Sequence, residues 1–171
     1  MEFRKAEFSD WEDIASLHAK SWQENYRNIL SDQFLDNEVI ENRNEYWKKK
    51  LQNLDENILV ELAIIENELV GFSCTYAFFK NTEEHYLDHI HVKSSFRGNR
   101  IGEKLLFKAI DWAFSKEKKI PLYLLVYEEN SAAIRFYKRM GAEISEPFPH
   151  ENDDGSVSQI LKCTWTDLPL A

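Results

Sequence analysis

The side chains best suited to proton transfer lie in one short stretch, residues 86–92, which reads Tyr-Leu-Asp-His-Ile-His-Val. Imidazole exchanges protons near neutral pH, and a carboxylate can accept a proton from an amine. If these residues form a regular strand, the side chains of Tyr86, Asp88 and Ile90 lie on one face of the sheet. Those of His89 and His91 then lie on the opposite face. A bulge in the strand would change this assignment. We expect no metal site here, because no carboxylate or cysteine ligand set stands at recognisable spacing.

The segment from Val92 to Gly102 has the pattern of an anion-binding loop. It leaves a predicted strand, passes through a glycine-containing loop and enters a predicted helix. Backbone N–H groups in the first turn of a helix lack intrahelical partners, and the helix dipole favours a pyrophosphate there. Arg97 and Arg100 would add positive charge, although the same residues also suit an ordinary turn. The sequence contains no G-x-x-x-x-G-K-[ST], which disfavours a nucleoside-triphosphate loop.

A second motif runs from Asn130 to Gly141 and follows an almost continuously apolar run typical of a buried strand. Asn130 suits a helix N-cap, and Gly141 is placed to end the helix. Phe136 and Tyr137 are equally compatible with a core position and with a site. Each residue alone is a weak signal, so the interpretation rests on the two motifs together.

Together the two motifs resemble those of the GNAT superfamily of N-acyltransferases. Residues 97–102 match the acyl-CoA pyrophosphate loop, [QR]-x-x-G-x-[GA], and residues 130–141 match the later helix, N-x-x-A-x-x-F-Y-x-x-x-G. The loop departs from the pattern at Arg100, where a glycine is usual, and Gly98 is expected to compensate. The resemblance implies acetyl-CoA as acyl donor, direct attack by an amine without an acyl-enzyme, and no metal.

Periodicity and turn signals predict the element order β-α-α-β-β-β-α-β-α-β-β for residues 1–171, which we interpret as one domain. The resemblance implies an α+β fold with a central, mixed, mostly antiparallel twisted sheet of about seven strands and helices on both faces. It also implies a splay between strands 86–92 and 121–127. A splay exposes strand-edge groups that the amides of a pantetheine arm can pair with.

The resemblance also assigns roles to individual residues. Tyr137 is the expected acid for the departing thiolate, and Asp88 is the leading candidate base, with His89 and His91 as alternatives. The acceptor site is expected at Trp22, Tyr26, Tyr86, His89 and the acidic segment 147–156. The cofactor-binding residues are expected to be His91, Val92, Arg97, Gly98, Asn99, Arg100, Ile101, Gly102, Glu103, Asn130, Ala133 and Tyr137.

The amino-acid composition limits the classes of partner that the protein can have. With 21 basic and 30 acidic side chains the net charge is −9, which disfavours nucleic acid as a partner. The charged N-terminus and the absence of a long apolar run predict a cytoplasmic protein without a membrane partner. Cys74 and Cys163 lack C-x-x-C spacing and are expected to be buried free thiols. A homodimer is compatible with the sequence.

The acceptor is the least constrained part of the prediction. The acidity of residues 140–161 favours a small cationic amine. A protein N-terminus or lysine is one alternative acceptor. A regulatory module that binds acyl-CoA without turnover is the other reading, and Tyr137 argues against it because binding alone does not require an acid for the thiolate.

Overall fold

The computed structural model describes residues 1–168, apart from the side chain of Asn81. Within that range the element order matches the prediction, with two refinements: the predicted helix within residues 32–54 divides at Glu38, and the predicted strand 142–148 divides into two short ones. The elements are β1 (Glu2–Lys5), α1 (Trp11–Asn25), α2 (Asp32–Asn37), α3 (Val39–Gln52), β2 (Ile58–Ile65), β3 (Glu68–Tyr76), β4 (His85–Val92), α4 (Ile101–Lys116), β5 (Leu122–Tyr127), α5 (Ser131–Arg139), β6 (Glu143–Ile144), β7 (Phe148–Glu151) and β8 (Val157–Trp165).

Residues 1–168 form an eight-stranded sheet in the order β1-β2-β3-β4-β5-β8-β6, with β7 also paired to β8. The neighbours pair antiparallel except β4 and β5, which are parallel. That parallel pair is registered only at His85 with Leu122 and Tyr86 with Tyr123. Beyond Tyr86 the two strands diverge, so the expected splay is confirmed and opens a cleft in the middle of the sheet.

Helices cover both faces of the sheet, as expected. On one face α1 and α3 pack over β2 and β3, with Trp47 and Phe72 fully buried between them. On the other face α4 and α5 pack over β4, β5 and β8, where Leu106 and Trp165 are fully or almost fully buried. No helix within residues 1–168 is both long enough and apolar enough to cross a bilayer.

A bulge in β4 changes which side chains reach the cleft. Cys74 of β3 pairs with His89 and the next residue, Thr75, pairs with Leu87, which leaves Asp88 without a partner. An extra residue in one strand lets two successive side chains lie on the same face. Leu87 packs against the α4 side, whereas Asp88 and His89 both contact α3.

The strict alternation predicted for residues 86–92 is therefore wrong. Ile90 packs with the α4 side and does not share the face of Asp88. His91 contacts α1 through Ser21, on the same side as His89. The bulge thus places Asp88, His89 and His91 together on the face covered by α1 and α3.

Candidate active site

The divergence of β4 and β5 opens a cleft of about 820 Å³ that runs between the two motifs. It has two parts of different construction. The amide half consists of Val92, the β4–α4 loop with the first turn of α4, and the start of α5. The side-chain half is lined by residues from α1, α3, β4 and the β7–β8 segment, namely Trp22, Tyr26, Arg43, Tyr46, Tyr86, Asp88, His89 and Asp153.

Free backbone N–H groups define the amide half. None of the N–H groups from Gly98 to Glu103 donates a hydrogen bond to another residue in the described part of the chain. These groups surround the positive end of the α4 dipole, which is the arrangement that binds a pyrophosphate. Three arginines lie at the mouth, and Glu103 lies between two of them, 3.4 Å from Arg139 and 3.9 Å from Arg100.

Two residues of the loop adopt left-handed backbone conformations. Gly98 has φ 83°, and Arg100, the residue before α4, has φ 58°. Gly98 supplies one left-handed position, as a glycine can, and Arg100 adopts a second one without a glycine. A side chain in that conformation costs roughly 1–2 kcal/mol. The loop thus keeps its amide geometry at the cost of local strain.

Gly102 keeps the floor of the amide half open. A Cβ atom at this position would meet Phe136 Cζ at 3.7 Å and Val92 Cγ2 at 3.9 Å, which are ordinary contacts, whereas a branched side chain would extend into the cleft. The side chain of Asn99 does not line the cleft. Its side-chain amide turns back and donates to the Phe96 carbonyl oxygen at 3.1 Å.

The start of α5 contributes the second motif. Asn130 Oδ1 accepts a hydrogen bond from the Ala133 N–H at 3.2 Å, which confirms the predicted N-cap. Tyr137 is only 8% exposed, packs edge-on against Trp165 and lines the cleft. Burial raises the pKa of its phenol above the ordinary value, so the hydroxyl keeps its proton. That hydroxyl makes no hydrogen bond to any residue within 1–168 and is free to donate into the cleft.

A hydrogen-bonded group around Asp88 forms the centre of the side-chain half. The Tyr46 hydroxyl donates to Asp88 Oδ2 at 2.7 Å. His89 Nε2 lies 3.0 Å from the same hydroxyl and 3.2 Å from Asp88 Oδ2. Burial raises the pKa of Tyr46 and lowers the pKa of His89, while the Asp88 charge opposes the shift at His89. This group can accept a hydrogen bond from an amine and can move a proton.

Aromatic rings and an ion pair between buried Arg43 and exposed Asp153 form the walls around Asp88. Arg43 is stacked 4.3 Å over the Trp22 ring and is paired with Asp153 at 2.6 Å. Tyr26 packs edge-on against Tyr127 of β5, and burial raises its pKa to about 12. Tyr86 stacks on Tyr123 at the point where β4 and β5 part.

Three histidines meet beside Asp88, and one nitrogen from each of His18, His89 and His91 lies within 4.8 Å of the others. Such a group could suggest a metal site. However, the Trp47 indole N–H donates to His18 Nδ1 at 2.9 Å, so a neutral His18 carries its proton on Nε2. The Nε2 that would face an ion therefore has no lone pair, and the hydrogen-bond pattern does not fit three-histidine coordination.

Most of the predicted site residues converge on this cleft, including Trp22, Tyr26, Tyr86, Asp88 and His89. Sequence reasoning missed a further set of polar residues that line the cleft or support it, namely His18, Ser21, Asn25, Arg43 and Tyr46. A usable signal exists in α1, where His18, Ser21, Trp22 and Asn25 have the i, i+3, i+4, i+7 spacing of one helix face. Polar residues on the otherwise apolar face of a helix indicate a functional surface.

The chain is similar to several known acetyltransferases. The model of the Acetyltransferase (GNAT) family matches residues 11–142. An uncharacterized N-acetyltransferase of Archaeoglobus fulgidus is 31% identical over 80% of this chain and 89% of its own. The spermidine N(1)-acetyltransferase of Thermoplasma acidophilum is 27% identical over 91% of this chain and 92% of its own.

Among solved structures, the PaiA N-acetyltransferase of Thermoplasma acidophilum in complex with coenzyme A superimposes with a TM-score of 0.72. The superposition covers 96% of this chain and 98% of that one at 24% identity, which shows a shared fold. The family model and the structural superposition each cover most of the chain. The chain belongs to the GNAT family of acetyltransferases and is an acetyl-CoA-dependent N-acetyltransferase.

Proposed function

We propose that the enzyme acetylates a small cationic amine of the polyamine class, by direct attack of the amine on acetyl-CoA. The amide half holds the pyrophosphate and pantetheine of the donor, and the side-chain half holds the amine. The observation that carries the proposal is Asp88, a carboxylate inside the cleft whose neighbours, Tyr46 and His89, are hydrogen-bonding groups and not paired cations.

The charge balance of the side-chain half supports a cationic acceptor. Arg43 is the basic residue lining this half, and it is already paired with Asp153. Asp88 forms no ion pair with an arginine or lysine among the described residues, and an ammonium group would supply that partner. The aromatic rings of Trp22, Tyr26 and Tyr86 line this half and suit the methylene chain of an alkylammonium.

Two further observations favour a small acceptor over a protein segment. The turn between β7 and β8 is tied to the helical side of the molecule, because Asp153 pairs with Arg43 and Asp154 accepts a hydrogen bond from the Ser31 N–H at 2.7 Å. These contacts hold the β7–β8 turn against the helices and restrict the access of a large acceptor to the side-chain half on that side. The similar Thermoplasma acidophilum protein is a spermidine N(1)-acetyltransferase.

The cleft supplies the two proton transfers that the reaction needs. A protonated amine, with a pKa of about 10.4 for a lysine-like group, must lose a proton before it can attack. Asp88 is our candidate acceptor of that proton, with His89 and His91 as the alternatives. Acetyl-CoA supplies an activated acyl group whose C–S bond breaks as the C–N bond forms. Tyr137 would then donate its hydroxyl proton to the departing sulfur.

The proposal is tested by measuring CoA thiol release from acetyl-CoA against an amine panel. The panel contains spermidine, spermine, a monoamine of similar length, an aminoglycoside, and peptides with a free N-terminus or a lysine. We expect the highest kcat/KM with a polyamine and little release without amine. A preference for a peptide would overturn the acceptor class. Acetyl-CoA binding without turnover on any amine would favour a non-catalytic binding module.

A further inference from the structure

His18 is a fully buried histidine beside the cleft with an unsatisfied hydrogen-bonding atom. The residue is 0% exposed, and its Nε2 has no hydrogen-bond partner in the described part of the chain. An unsatisfied polar group in a core costs about 1–3 kcal/mol. The ring lies between His89 and His91, with its centroid 4.5 Å from each of theirs, and His89 in turn contacts Asp88.

Trp47 determines the tautomer of His18. An indole N–H can only donate, so the 2.9 Å contact with His18 Nδ1 requires a lone pair on Nδ1. A neutral imidazole with that lone pair carries its proton on Nε2, and an imidazolium would lose the Trp47 hydrogen bond. The contact therefore holds His18 neutral with an N–H directed away from Trp47.

His89 is oriented by the same reasoning. Its Nε2 faces Asp88 Oδ2 at 3.2 Å and the Tyr46 oxygen at 3.0 Å, and the Tyr46 proton is already donated to Asp88. Both neighbours of Nε2 therefore act as acceptors, so Nε2 carries the proton. The lone pair of His89 is then on Nδ1, which makes that atom a suitable acceptor for the N–H of His18.

We propose that Trp47, His18 and His89 form a one-way chain of N–H donors that ends on the Asp88 carboxylate, and that His18 is the positioning residue that, together with burial, keeps His89 neutral. The proposal rests on the proposed role of Asp88. The link between His18 Nε2 and His89 Nδ1 needs a small rotation of the two rings, whose centroids are 4.5 Å apart. Successive donors in such a chain polarise one another and strengthen the last hydrogen bond.

Burial is the largest influence on His89 and lowers its pKa, while the surrounding charges act in both directions. Asp88 and Asp153 favour an imidazolium at this position, whereas Arg43 and Lys50 oppose it. An imidazolium beside Asp88 would neutralise the carboxylate and repel a cationic acceptor. The titratable or charged groups that face the His18–His89 pair are Arg43, Tyr46 and Lys50 from α3, Cys74 from β3, Asp88 and His91 from β4, and Asp153 from the β7–β8 turn.

The chain also decides between the candidate bases. With Nδ1 accepting from His18 and Nε2 donating to Asp88, His89 has no lone pair left for the amine. Asp88 has a second carboxylate oxygen, Oδ1, that is bonded to neither Tyr46 nor His89. The chain of donors therefore excludes His89 as the base and leaves Asp88 to take the proton of the amine.

The first test uses the wild-type protein alone. Long-range ¹H–¹⁵N NMR correlations should show the Nε2–H tautomer for His18, and neither His18 nor His89 should titrate between about pH 5.5 and 8, the range in which an ordinary histidine does. An Nδ1–H tautomer of His18, or an ordinary titration of His18 or His89, would overturn the proposal. This result does not depend on the acceptor, so it remains informative even if the polyamine assignment fails.

The second test uses His18→Phe, which keeps a ring in the pocket and removes the donor. In this variant the KM for spermidine should rise about tenfold between pH 8 and pH 6, because His89 can now take a proton. The KM for acetyl-CoA should stay constant over the same range. Phe72→Leu, which disturbs the packing against the same ring, should leave the spermidine KM independent of pH.

A spermidine KM in His18→Phe that matches the wild-type pH dependence would contradict the proposal. So would the same pH dependence in Phe72→Leu, because it would then arise from packing. If His18→Phe does not fold, the NMR measurement on the wild-type protein decides the question.

Discussion

The two halves of the cleft recognise their ligands by different means. The amide half offers free N–H groups from six successive positions, Gly98 to Glu103, and its charged side chains lie at the rim. The side-chain half depends on Asp88, Tyr46 and His89, which come from two elements distant in sequence. Backbone recognition tolerates side-chain exchange as long as the chain path is kept. Side-chain recognition fails when a single functional group is removed.

The largest expected effect is therefore in the side-chain half. Asp88→Asn should lower kcat/KM for the amine about 100- to 10,000-fold at neutral pH, because it removes the proposed proton acceptor and its charge. Acetyl-CoA affinity should be unchanged by calorimetry. Raising the pH should restore part of the rate, since more of the amine is then already deprotonated.

Glu103→Gln is the matched control, because it removes a carboxylate from the amide half. It should leave the pH–rate profile unchanged. If Asp88→Asn has the wild-type profile while His89→Ala or His91→Ala shifts it, the proton acceptor is a histidine and the assignment to Asp88 is wrong.

Tyr137 lies where the two halves meet and is expected to give the next largest effect. Tyr137→Phe keeps the ring packed on Trp165 and should cost less than about 1 kcal/mol of stability. Loss of the hydroxyl should lower kcat about ten- to a thousandfold with acetyl-CoA affinity nearly intact. Tyr26→Phe is the control for removing a buried phenol from the cleft. A Tyr137→Phe enzyme with the wild-type kcat would show that water protonates the thiolate.

In the amide half, acetyl-CoA affinity should depend more on the space above the backbone than on the charges of the arginines. Gly102→Val should weaken acetyl-CoA binding by about tenfold or more, because the branched side chain extends between Phe136 and Val92 into the cleft. Arg97→Ala and Arg100→Ala should each cost less, about 1 kcal/mol at most, because exposed charges contribute little. Gly102→Ala, whose Cβ makes ordinary contacts, is the graded control. A larger loss from either arginine than from Gly102→Val, measured by calorimetry, would contradict backbone recognition.

The smallest effect concerns the strained position before α4. Arg100→Gly should relieve the left-handed backbone at φ 58° and change the free energy of unfolding by less than about 1 kcal/mol in the stabilising direction. Arg100→Ala keeps the strain and removes the same charge. Urea unfolding of the two variants gives the comparison. If glycine is less stable than alanine at this position, strain at Arg100 is not significant.

The amide half was easier to predict from the sequence than the side-chain half. The amide half is contiguous, so the loop from Arg97 to Gly102 and the Asn130 cap were predictable from local pattern, as was the splay that the family resemblance implies. The side chain of Asn99 turns back to the Phe96 carbonyl oxygen, so only its backbone N–H is available to the amide half. The side-chain half depends on contacts such as Tyr46 with Asp88, which no local pattern encodes.

The bulge in β4 is a second feature that the sequence pattern could not predict. Alternation is a local rule, and it predicted opposite faces for Asp88 and His89. The bulge is decided by pairing with β3, where Cys74 and Thr75 fix the register on either side of Asp88. Sequence spacing could raise the possibility of a bulge but could not decide that it occurs or where it lies.

The central claim is that the two halves are filled at the same time and that the acetyl group passes directly between their ligands. Both cysteines, Cys74 and Cys163, are buried, which is consistent with transfer without a cysteine acyl-enzyme. The most direct measurement is the initial rate over a matrix of acetyl-CoA and spermidine concentrations. Double-reciprocal lines that intersect are the predicted result for a ternary complex. Parallel lines, the kinetic sign of an acyl-enzyme, would contradict it.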